Sequence, residues 1–583
     1  MANKLELTWY GKENEIKVEP RILIENPELS SKKADINGQA TLFDLDKKEI
    51  FDNMLIHGDN LLALKALEKD YAGKVKCIYI DPPYNTGAAF EHYDDNVEHS
   101  IWLNLMKCRL QILKNLLRED GVIFIQIDYN EQAYLKVLCD EIFGRKNYLT
   151  MITCKVKAPS GIASGANAFF DCSEYILSYT KNKPAFNFNV VKVDSSKIGP
   201  EAETVTNVYN QFIEKLEFDN FTEFDNFEDI EIKELDYPYF QISTIPKAER
   251  TTKRYYQDYN KIFRTAAISG GRDKKVLAYL QSLPNYDKNK IYSYSYVASQ
   301  GKNKGRKITN YIYKNGNILF LKDFVRVDDQ SKAVYKQDII TNIFYTDWWQ
   351  GLTGEGNVDF KNGQKPEKLL SALFNVVTEE GDIVLDSFLG SGTTAAVAHK
   401  MKRRWIGIEM GEHAYTHCKY RLDRIIKNED TTGISKEVKW QGGGGYKFYE
   451  LAPTLIKEDA FGQEIINPEY NAEMLASAIA KHEGYTYQPD ETLFWKQSHN
   501  DKSFLFVTTN HVNSQMIETI KADLQEGEFV LIVCKSFDNS CVYEKNIAIK
   551  KIPQSLLKNC EFGRDDYSLN IICPPEYEEG CDE

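Results

Sequence analysis

Val75-Lys76-Cys77-Ile78-Tyr79-Ile80-Asp81-Pro82-Pro83-Tyr84-Asn85-Thr86-Gly87 is an apolar run that stops at a carboxylate, two prolines and an aromatic ring. The run reads as a buried strand. Proline fixes φ and carries no N–H, so the Pro82 carbonyl is left free to face outward as an acceptor. Asp81 is a second acceptor, and Tyr84 offers a ring face for stacking. Two acceptors beside a π-face suit the exocyclic amino group of a base taken out of its stack. The same letters also make an ordinary strand-to-loop turn, since Pro, Asn and Gly are turn residues.

Outward from this stretch the pattern is α/β. Met54–His57 is a short strand followed by Gly58-Asp59-Asn60 and a helical run through Leu67. A long amphipathic helix is expected from His99 to Arg118, then a buried strand Val122–Ile127, a helix near Glu131–Phe143, and strands at Tyr148–Lys155 and Glu174–Tyr179. Strands alternating with helices predict a parallel sheet covered on both faces. The alternation stops at residue 183 and returns near 362, with a helix over Lys365–Val377 and the strand Ile383–Leu385. The domain therefore reads as split around an inserted unit.

The second half carries Asp386-Ser387-Phe388-Leu389-Gly390-Ser391-Gly392-Thr393-Thr394, then a helix to Lys400 and the strand Trp405–Ile408 ending at Glu409. Glycines between a strand and a helix let backbone approach a ligand. An acid about 20 residues on can accept ribose hydroxyls. The Phe-x-Gly-x-Gly spacing differs from the dinucleotide pattern and suits a nucleoside without pyrophosphate, such as S-adenosylmethionine, with Asp386 helping to hold its cationic methionine end. A plain βα turn is the alternative. Ligands of parallel sheets sit beyond the carboxyl ends of the strands, so the two motifs together define methyl transfer to an exocyclic amine.

Composition sets the limits. At 583 residues the chain is too long for one core. It has no apolar run long enough for a membrane span and no apolar segment at its start, so a cytoplasmic protein is expected. Eleven scattered cysteines without a Cys-x-x-Cys pair argue for reduced thiols and against a zinc site. The net charge is −14, yet residues 241–320 hold 16 Lys and Arg against 4 Asp and Glu. Tyr255, Tyr256, Tyr259, Phe263, Tyr292, Tyr294, Tyr296, Tyr311 and Tyr313 interleave with them. A basic aromatic segment fits phosphate attraction and base contact, with Lys253, Arg254, Arg264, Arg272, Lys274, Lys302, Lys304 and Arg306 as candidates. The alternative is a solvated face over a Tyr-rich sheet. The acidic tandem Phe218–Glu223 and Phe224–Asp229 reads as a solvated element, and Asp347-Trp348-Trp349 as core.

Asp81–Gly87, Phe388–Gly392, Gln364-Lys365-Pro366-Glu367-Lys368-Leu369 and His57–Leu62 together resemble the beta class of DNA adenine-N6 methyltransferases, specifically the modification subunits of type III restriction–modification systems. Leu7–Lys12 and Glu19–Leu23 share the likeness. It covers residues 1–182 and 346–425; the insert and C-terminal region match by position only. The resemblance implies a Rossmann-like, circularly permuted S-adenosylmethionine-dependent α/β sheet with an inserted target-recognition domain and a small C-terminal α/β domain. The divisions expected are 1–50 arm, 51–182 catalytic half, 183–345 target recognition, 346–425 cofactor half and 426–583 C-terminal domain, with Gly442–Gly445 as a flexible joint. By the same resemblance Asp81, Pro82, Pro83 and Tyr84 hold the flipped adenine. Phe388, Gly390 and Gly392 line the methionine end and Glu409 takes the ribose. Asp59, on a strand beside Ile80, meets the cofactor adenine unless it is only a helix N-cap. Lys365 and Pro366 close over the methionine moiety. Phe169 or Phe170 packs on the base or in the core. Double-stranded DNA, a homodimer and a helicase–nuclease restriction subunit are the implied partners; no ATP-binding loop is present. A solitary adenine methyltransferase, an N4-cytosine methyltransferase (which Ser at position 81 would favour) and a specificity subunit that mainly recruits a nuclease stay open.

Overall fold

The computed structural model describes residues 6–14, 17–32, 50–84, 99–157, 171–299, 304–349, 351–360, 363–458, 461, 463–543 and 546–552. Phe169, Phe170, Lys302 and Asn85–Gly87 lie outside them. The chain divides into two compact units, one of residues 1–189 with 341–583, the other of Val190–Ile340.

The first unit is built on a ten-stranded sheet. In chain order its strands are β1 Leu23–Lys32, β2 Asn53–His57, β3 Val75–Ile80, β4 Leu117–Ile127, β5 Tyr148–Lys155, β6 Ser173–Thr180, β7 Ile343–Phe344, β8 Ile383–Asp386, β9 Arg404–Glu409 and β10 Gly445–Leu451. Their spatial order is β1-β10-β2-β9-β8-β3-β4-β6-β5-β7. From β10 to β4 all neighbours are parallel; β1 and the β6–β5 pair run antiparallel. The sheet is therefore mixed, where alternation of elements predicted a parallel one. Each residue of β3 is buried, as the unbroken apolar run demands of a strand covered on both faces.

Helices α1 Asn60–Tyr71, α2 His99–Leu116, α3 Tyr129–Cys139, α4 Glu367–Val377 and α5 Thr393–Lys400 flank the sheet. On α2 the buried Trp102, Leu103, Met106, Leu110 and Leu113 recur at helical spacing. On α5 Ala395, Ala396 and Ala398 are fully buried, and such small side chains let a helix lie close to a sheet.

Three expectations are corrected here. Of the expected N-terminal arm, the described residues 6–14 and 17–32 include a strand of the main sheet. β1 pairs with β10, and Leu7 N–H donates to Glu141 Oε1 at 2.7 Å while Lys12 pairs with Glu141 Oε2 at 2.9 Å. The sheet also runs past residue 425, because β10 fills the place between β1 and β2. Gly442–Gly445 is thus the entry to a central strand rather than a joint. Trp348 is half-buried, not core, with its ring stacked on Phe344 at 4.5 Å.

C-terminal to β10, the strands Ser503–Val512, Phe529–Phe537 and Ile547–Lys551 run parallel, the first two joined through the helix Ser514–Asp523 as a βαβ unit. Leu475, Ile479 and Leu505 of this region share one core with Ile22 and Ala452. No helix among the described residues is long and apolar enough to cross a membrane.

The second unit is an eight-stranded antiparallel sheet and a separate three-stranded one, with helices Thr252–Asp258 and Gly271–Ser282. Its limits, Val190–Ile340, lie a few residues inside the 183–345 expected from sequence. The acidic tandem is not simply a solvated element. It makes an edge hairpin in which Phe227 stacks on Tyr279 at 4.5 Å and Phe224 meets Tyr292 edge-on at 5.1 Å.

Candidate active site

Parallel strands bring five acids to the carboxyl edge of the main sheet. In spatial order these are Asp59 after β2, Glu409 at the end of β9, Asp386 at the end of β8, Asp81 after β3 and Asp128 after β4. Val384 and Leu385 of β8 pair in register with Cys77 and Ile78 of β3. Two motifs 300 residues apart in the chain thus end on adjacent strands.

Asp81 is mostly buried. Its Oδ2 meets Lys365 Nζ at 2.5 Å, and its Oδ1 accepts from the Tyr84 hydroxyl at 2.7 Å. Burial pushes the Asp81 carboxyl above its ordinary range, and the Lys365 ammonium opposes that shift. The Lys365 ammonium also hangs over the Tyr84 ring, 5.3 Å from its centre, within cation–π range. The Trp102 indole N–H donates to the Pro83 carbonyl at 2.8 Å, which ties the second proline to α2. The Tyr84 hydroxyl lies 3.1 Å from Glu174 Oε2, an oxygen that also accepts from the Gln126 amide.

The glycine turn follows β8. Gly390 and Gly392 have φ of +55° and +79°, a region that disfavours side chains. A Cβ on Gly392 would also stand 3.2 Å from the Cys418 Cα. Asp386 braces this turn. Its Oδ1 accepts from Phe388 N–H at 2.9 Å and its Oδ2 from the Thr394 hydroxyl at 2.6 Å. Burial lifts its carboxyl to about 7. Both oxygens take hydrogen bonds from the turn, so Asp386 shapes this strand-end site.

Glu409 accepts from Gly390 N–H at 2.7 Å through Oε2 and from Gly411 N–H at 3.1 Å through Oε1. Its two oxygens thus hold the glycine turn and the segment after β9 at the strand end where a ribose contact was expected. Glu409, Phe388, Ser387, Met410, Asn60 and Pro83 line one cavity at this edge. The buried Ser387 hydroxyl has no hydrogen-bond partner among the described residues. A buried polar atom without a partner, opening on such a cavity, is a feature that a bound polar group relieves. The donor set fits a nucleoside ligand such as S-adenosylmethionine.

Three residues expected at the cofactor, Asp59, Lys365 and Pro366, have partners within the protein. Asp59 caps α1, accepting from Leu62 N–H at 3.0 Å, and pairs with Arg109 at 3.3 Å. Its strand β2 is separated from β3 by β9 and β8; the cavity is met instead by Asn60, whose amide donates to the Ser387 carbonyl at 2.8 Å. Lys365 points at Asp81, on the acceptor side. Pro366 is the N-cap of α4, its carbonyl accepting from Leu369 N–H at 3.1 Å.

Sequence reading missed Ser387, Glu174 and a fully buried charge cluster behind the turn. In that cluster Lys400 Nζ binds Glu367 at 2.8 Å and Asp430 at 2.7 Å. Arg421 binds Glu367 at 2.8 Å and the Thr393 hydroxyl at 2.9 Å. A lysine inside the small-residue helix α5 was the available signal, since lysine is rarely fully buried unless paired.

In the second unit, three of the candidate DNA contacts rest on rings. Arg254 covers Phe212 at 4.6 Å, Arg264 covers Tyr209 at 5.5 Å and Arg272 covers Tyr296 at 3.9 Å. Lys253, Lys274, Lys304 and Arg306 are exposed. Tyr255, Phe263, Tyr292, Tyr294 and Tyr313 are buried, so the aromatic residues build the sheet and the basic ones supply its charged surface.

The family model described as DNA methylase matches residues 75–419. A probable type III restriction–modification enzyme HindVI Mod subunit of Haemophilus influenzae is 40% identical over 426 residues, 69% of this chain and 54% of its own. The EcoPI Mod subunit of Escherichia phage P1 is 30% identical over 60% of this chain and 55% of its own. The EcoP15I Mod subunit of Escherichia coli is 27% identical over 72% of this chain and 69% of its own. The matches span little more than half the length of the first two relatives. With the family's two strand-end motifs on neighbouring strands and its model matched from β3 to the helix after Glu409, this chain belongs to the N6/N4 DNA methylase family.

Proposed function

We propose that the protein transfers a methyl group from S-adenosylmethionine to N6 of an adenine flipped from duplex DNA, as the modification and specificity subunit of a type III restriction–modification system. The observation that carries this reading is that Pro83 of the acceptor motif and Glu409 of the cofactor motif line the same cavity. When bound, S-adenosylmethionine supplies an electrophilic methyl carbon. Asp81 and the Pro82 carbonyl then accept from the adenine amino group, which localises its lone pair toward that carbon; Tyr84 stacks on the ring. Acceleration comes from positioning and from dipoles already aimed at developing charge. The type III assignment rests on the three relatives above. It brings with it a homodimer, recognition through the Val190–Ile340 unit, and a helicase–nuclease partner.

Incubating the protein with duplex DNA and methyl-labelled S-adenosylmethionine, then digesting to nucleosides, tests the reaction. N6-methyladenine is the expected product. N4-methylcytosine, or no labelled base, overturns the reading.

Lys365 has a role of its own in this chemistry. Ionised Asp81 is the stronger acceptor and the form able to take the amino proton, so transfer is lost as pH falls through the Asp81 pKa. Burial already holds that pKa above the ordinary carboxylate value, and Lys365 restrains it. The other ionisable groups coupled to this pair are Tyr84, Glu174, Tyr79, Asp386 and Cys154; among these Lys365 is the cation. Lys365→Met should move the acidic limb of single-turnover methylation upward by about 1–3 pH units, the usual influence of an adjacent opposite charge. Lys365→Arg should keep the limb near its original place. An unmoved limb in Lys365→Met would show that the ion pair has no part in catalysis.

A further inference from the structure

The Tyr84 hydroxyl stands between two carboxylates, 2.7 Å from Asp81 Oδ1 and 3.1 Å from Glu174 Oε2. A phenol has one hydrogen, so it donates to one carboxylate at a time. When that hydrogen is on Asp81, Glu174 Oε2 keeps the Gln126 amide, and a further proton on the trio would fill the Tyr84–Glu174 contact as well. Such a site is arranged to take up one proton and pass it along.

Methyl transfer to an amine releases one proton. We propose that Glu174 is the final proton acceptor of the reaction, reached from Asp81 through the Tyr84 hydroxyl; this rests on the adenine-N6 reading given above. As the nitrogen–carbon bond forms and the carbon–sulfur bond breaks, the sulfonium charge is neutralised and the amino nitrogen becomes cationic. It gives one of its two hydrogens, as a proton, to Asp81. Asp81 then hands that proton to the Tyr84 oxygen while the Tyr84 hydrogen passes to Glu174 Oε2. The relay ends with Asp81 ionised, Tyr84 neutral and Glu174 protonated, so Asp81 is an acceptor again.

The surroundings favour this direction. Asp81 faces the Lys365 ammonium at 2.5 Å, which disfavours keeping the proton there. Glu174 lies at the half-buried end of β6 and so can release the proton to water. Its Oε2 also accepts from the Gln126 amide, and Gln126 Oε1 accepts from the Tyr79 hydroxyl at 2.5 Å. That chain from β3 and β4 fixes the receiving oxygen against Tyr84. Glu174 touches no reacting atom; it acts through Tyr84.

The test compares wild type, Tyr84→Phe, Glu174→Gln and the double variant. Tyr84→Phe keeps the stacking ring and removes the relay oxygen, while Glu174→Gln keeps shape and removes the terminal base. Wild-type methylation of adenine is measured first, and its absence would refute the N6 reading and not the relay. Extrusion of 2-aminopurine at the target position, read by fluorescence, should stay within a few-fold of wild type in all four proteins, a smaller change than the loss of rate. Single-turnover rates should fall at least tenfold in each single variant, with no further fall in the double, as expected for two members of one path. The lost rate should return as buffer base concentration rises. A Tyr84→Phe rate equal to wild type, or penalties that multiply in the double variant, overturns the relay. A Glu174→Gln protein that no longer extrudes the base is a positioning defect and also overturns it.

Discussion

Asp81→Ala is expected to reduce single-turnover methylation by about 10³-fold while leaving duplex DNA binding within a few-fold of wild type. Removal of one preorganised polar group at a developing charge has effects of that order. Three consequences of this site's geometry add up in the same direction. The amino group loses its charged acceptor and keeps only the Pro82 carbonyl. The Lys365 ammonium, 10% exposed, loses its partner at 2.5 Å; a buried cation left without a partner moves or loses its proton. The Tyr84 hydroxyl loses the contact at 2.7 Å that orients its ring. Asp81→Asn separates these effects. Its volume is the same, but with the amide oxygen on Lys365 the N–H turns to the Tyr84 side, and a neutral amide cannot take the proton of the amino group. It should therefore be nearly as inactive as Asp81→Ala. Because the interaction is made chiefly in the transition state, the deficit should appear in the chemical rate and not in the Michaelis constant. An Asp81→Asn protein with a wild-type rate would show that no acceptor at this position is needed.

The site was legible in the chain to the extent that its parts are local. A strand that ends in Asp81-Pro82-Pro83-Tyr84 announces itself, because two prolines cannot continue a sheet and the apolar run before them has nowhere to be but buried. Gly390 and Gly392 announce the turn for a similar reason: their φ values are positive. Glu409 could be found by counting, since a strand–turn–helix–strand unit of fixed length brings the next strand end alongside. What escaped were partners fixed by lateral strand order. Nothing in the sequence says that β8 and β9 come between β2 and β3, so Asp59 could be placed beside the wrong strand when its side chain caps α1 and meets Arg109. Lys365 could be attached to a motif but not aimed, since its target lies 284 residues away in the chain. Ser387 looked like filler between an acid and an aromatic residue. Its role follows from the lack of a partner for a buried hydroxyl, a property of the folded site alone. The basic insert shows the reverse case, for there the same tyrosines satisfied a binding reading and a core reading, and burial assigns Tyr255, Tyr292, Tyr294 and Tyr313 to the core.

Glu367→Ala should be the most destabilising single change in the methylase fold, by about 3–5 kcal/mol, the range for breaking a buried ion pair from one side. Glu367, Lys400 and the Arg421 and Asp430 side chains around them form a balanced cluster of two cations and two anions, with Glu367, Lys400, Arg421 and Asp430 side chains all fully buried. Glu367 is its hub. Oε1 binds Lys400 and Arg421, and Oε2 binds Lys400 and accepts from Ile434 N–H at 3.0 Å. Without it, Lys400 keeps Asp430, Arg421 loses its carboxylate at 2.8 Å, and the Ile434 N–H loses its acceptor. The loss reaches the site through Arg421, which also donates to the Thr393 hydroxyl at the start of α5. That residue follows Gly392 directly, so a displaced Arg421 loosens the turn under Glu409. Two measurements therefore move together. The melting temperature should drop by about 10 °C, given roughly 2–4 °C per kcal/mol for a unit of this size, and S-adenosylmethionine binding by calorimetry should weaken below the remaining transition. Lys400→Met removes one cation and leaves Glu367 paired with Arg421, so its penalty should be smaller. If Glu367→Ala melts within 2 °C of wild type, the cluster is not what holds the cofactor turn in place.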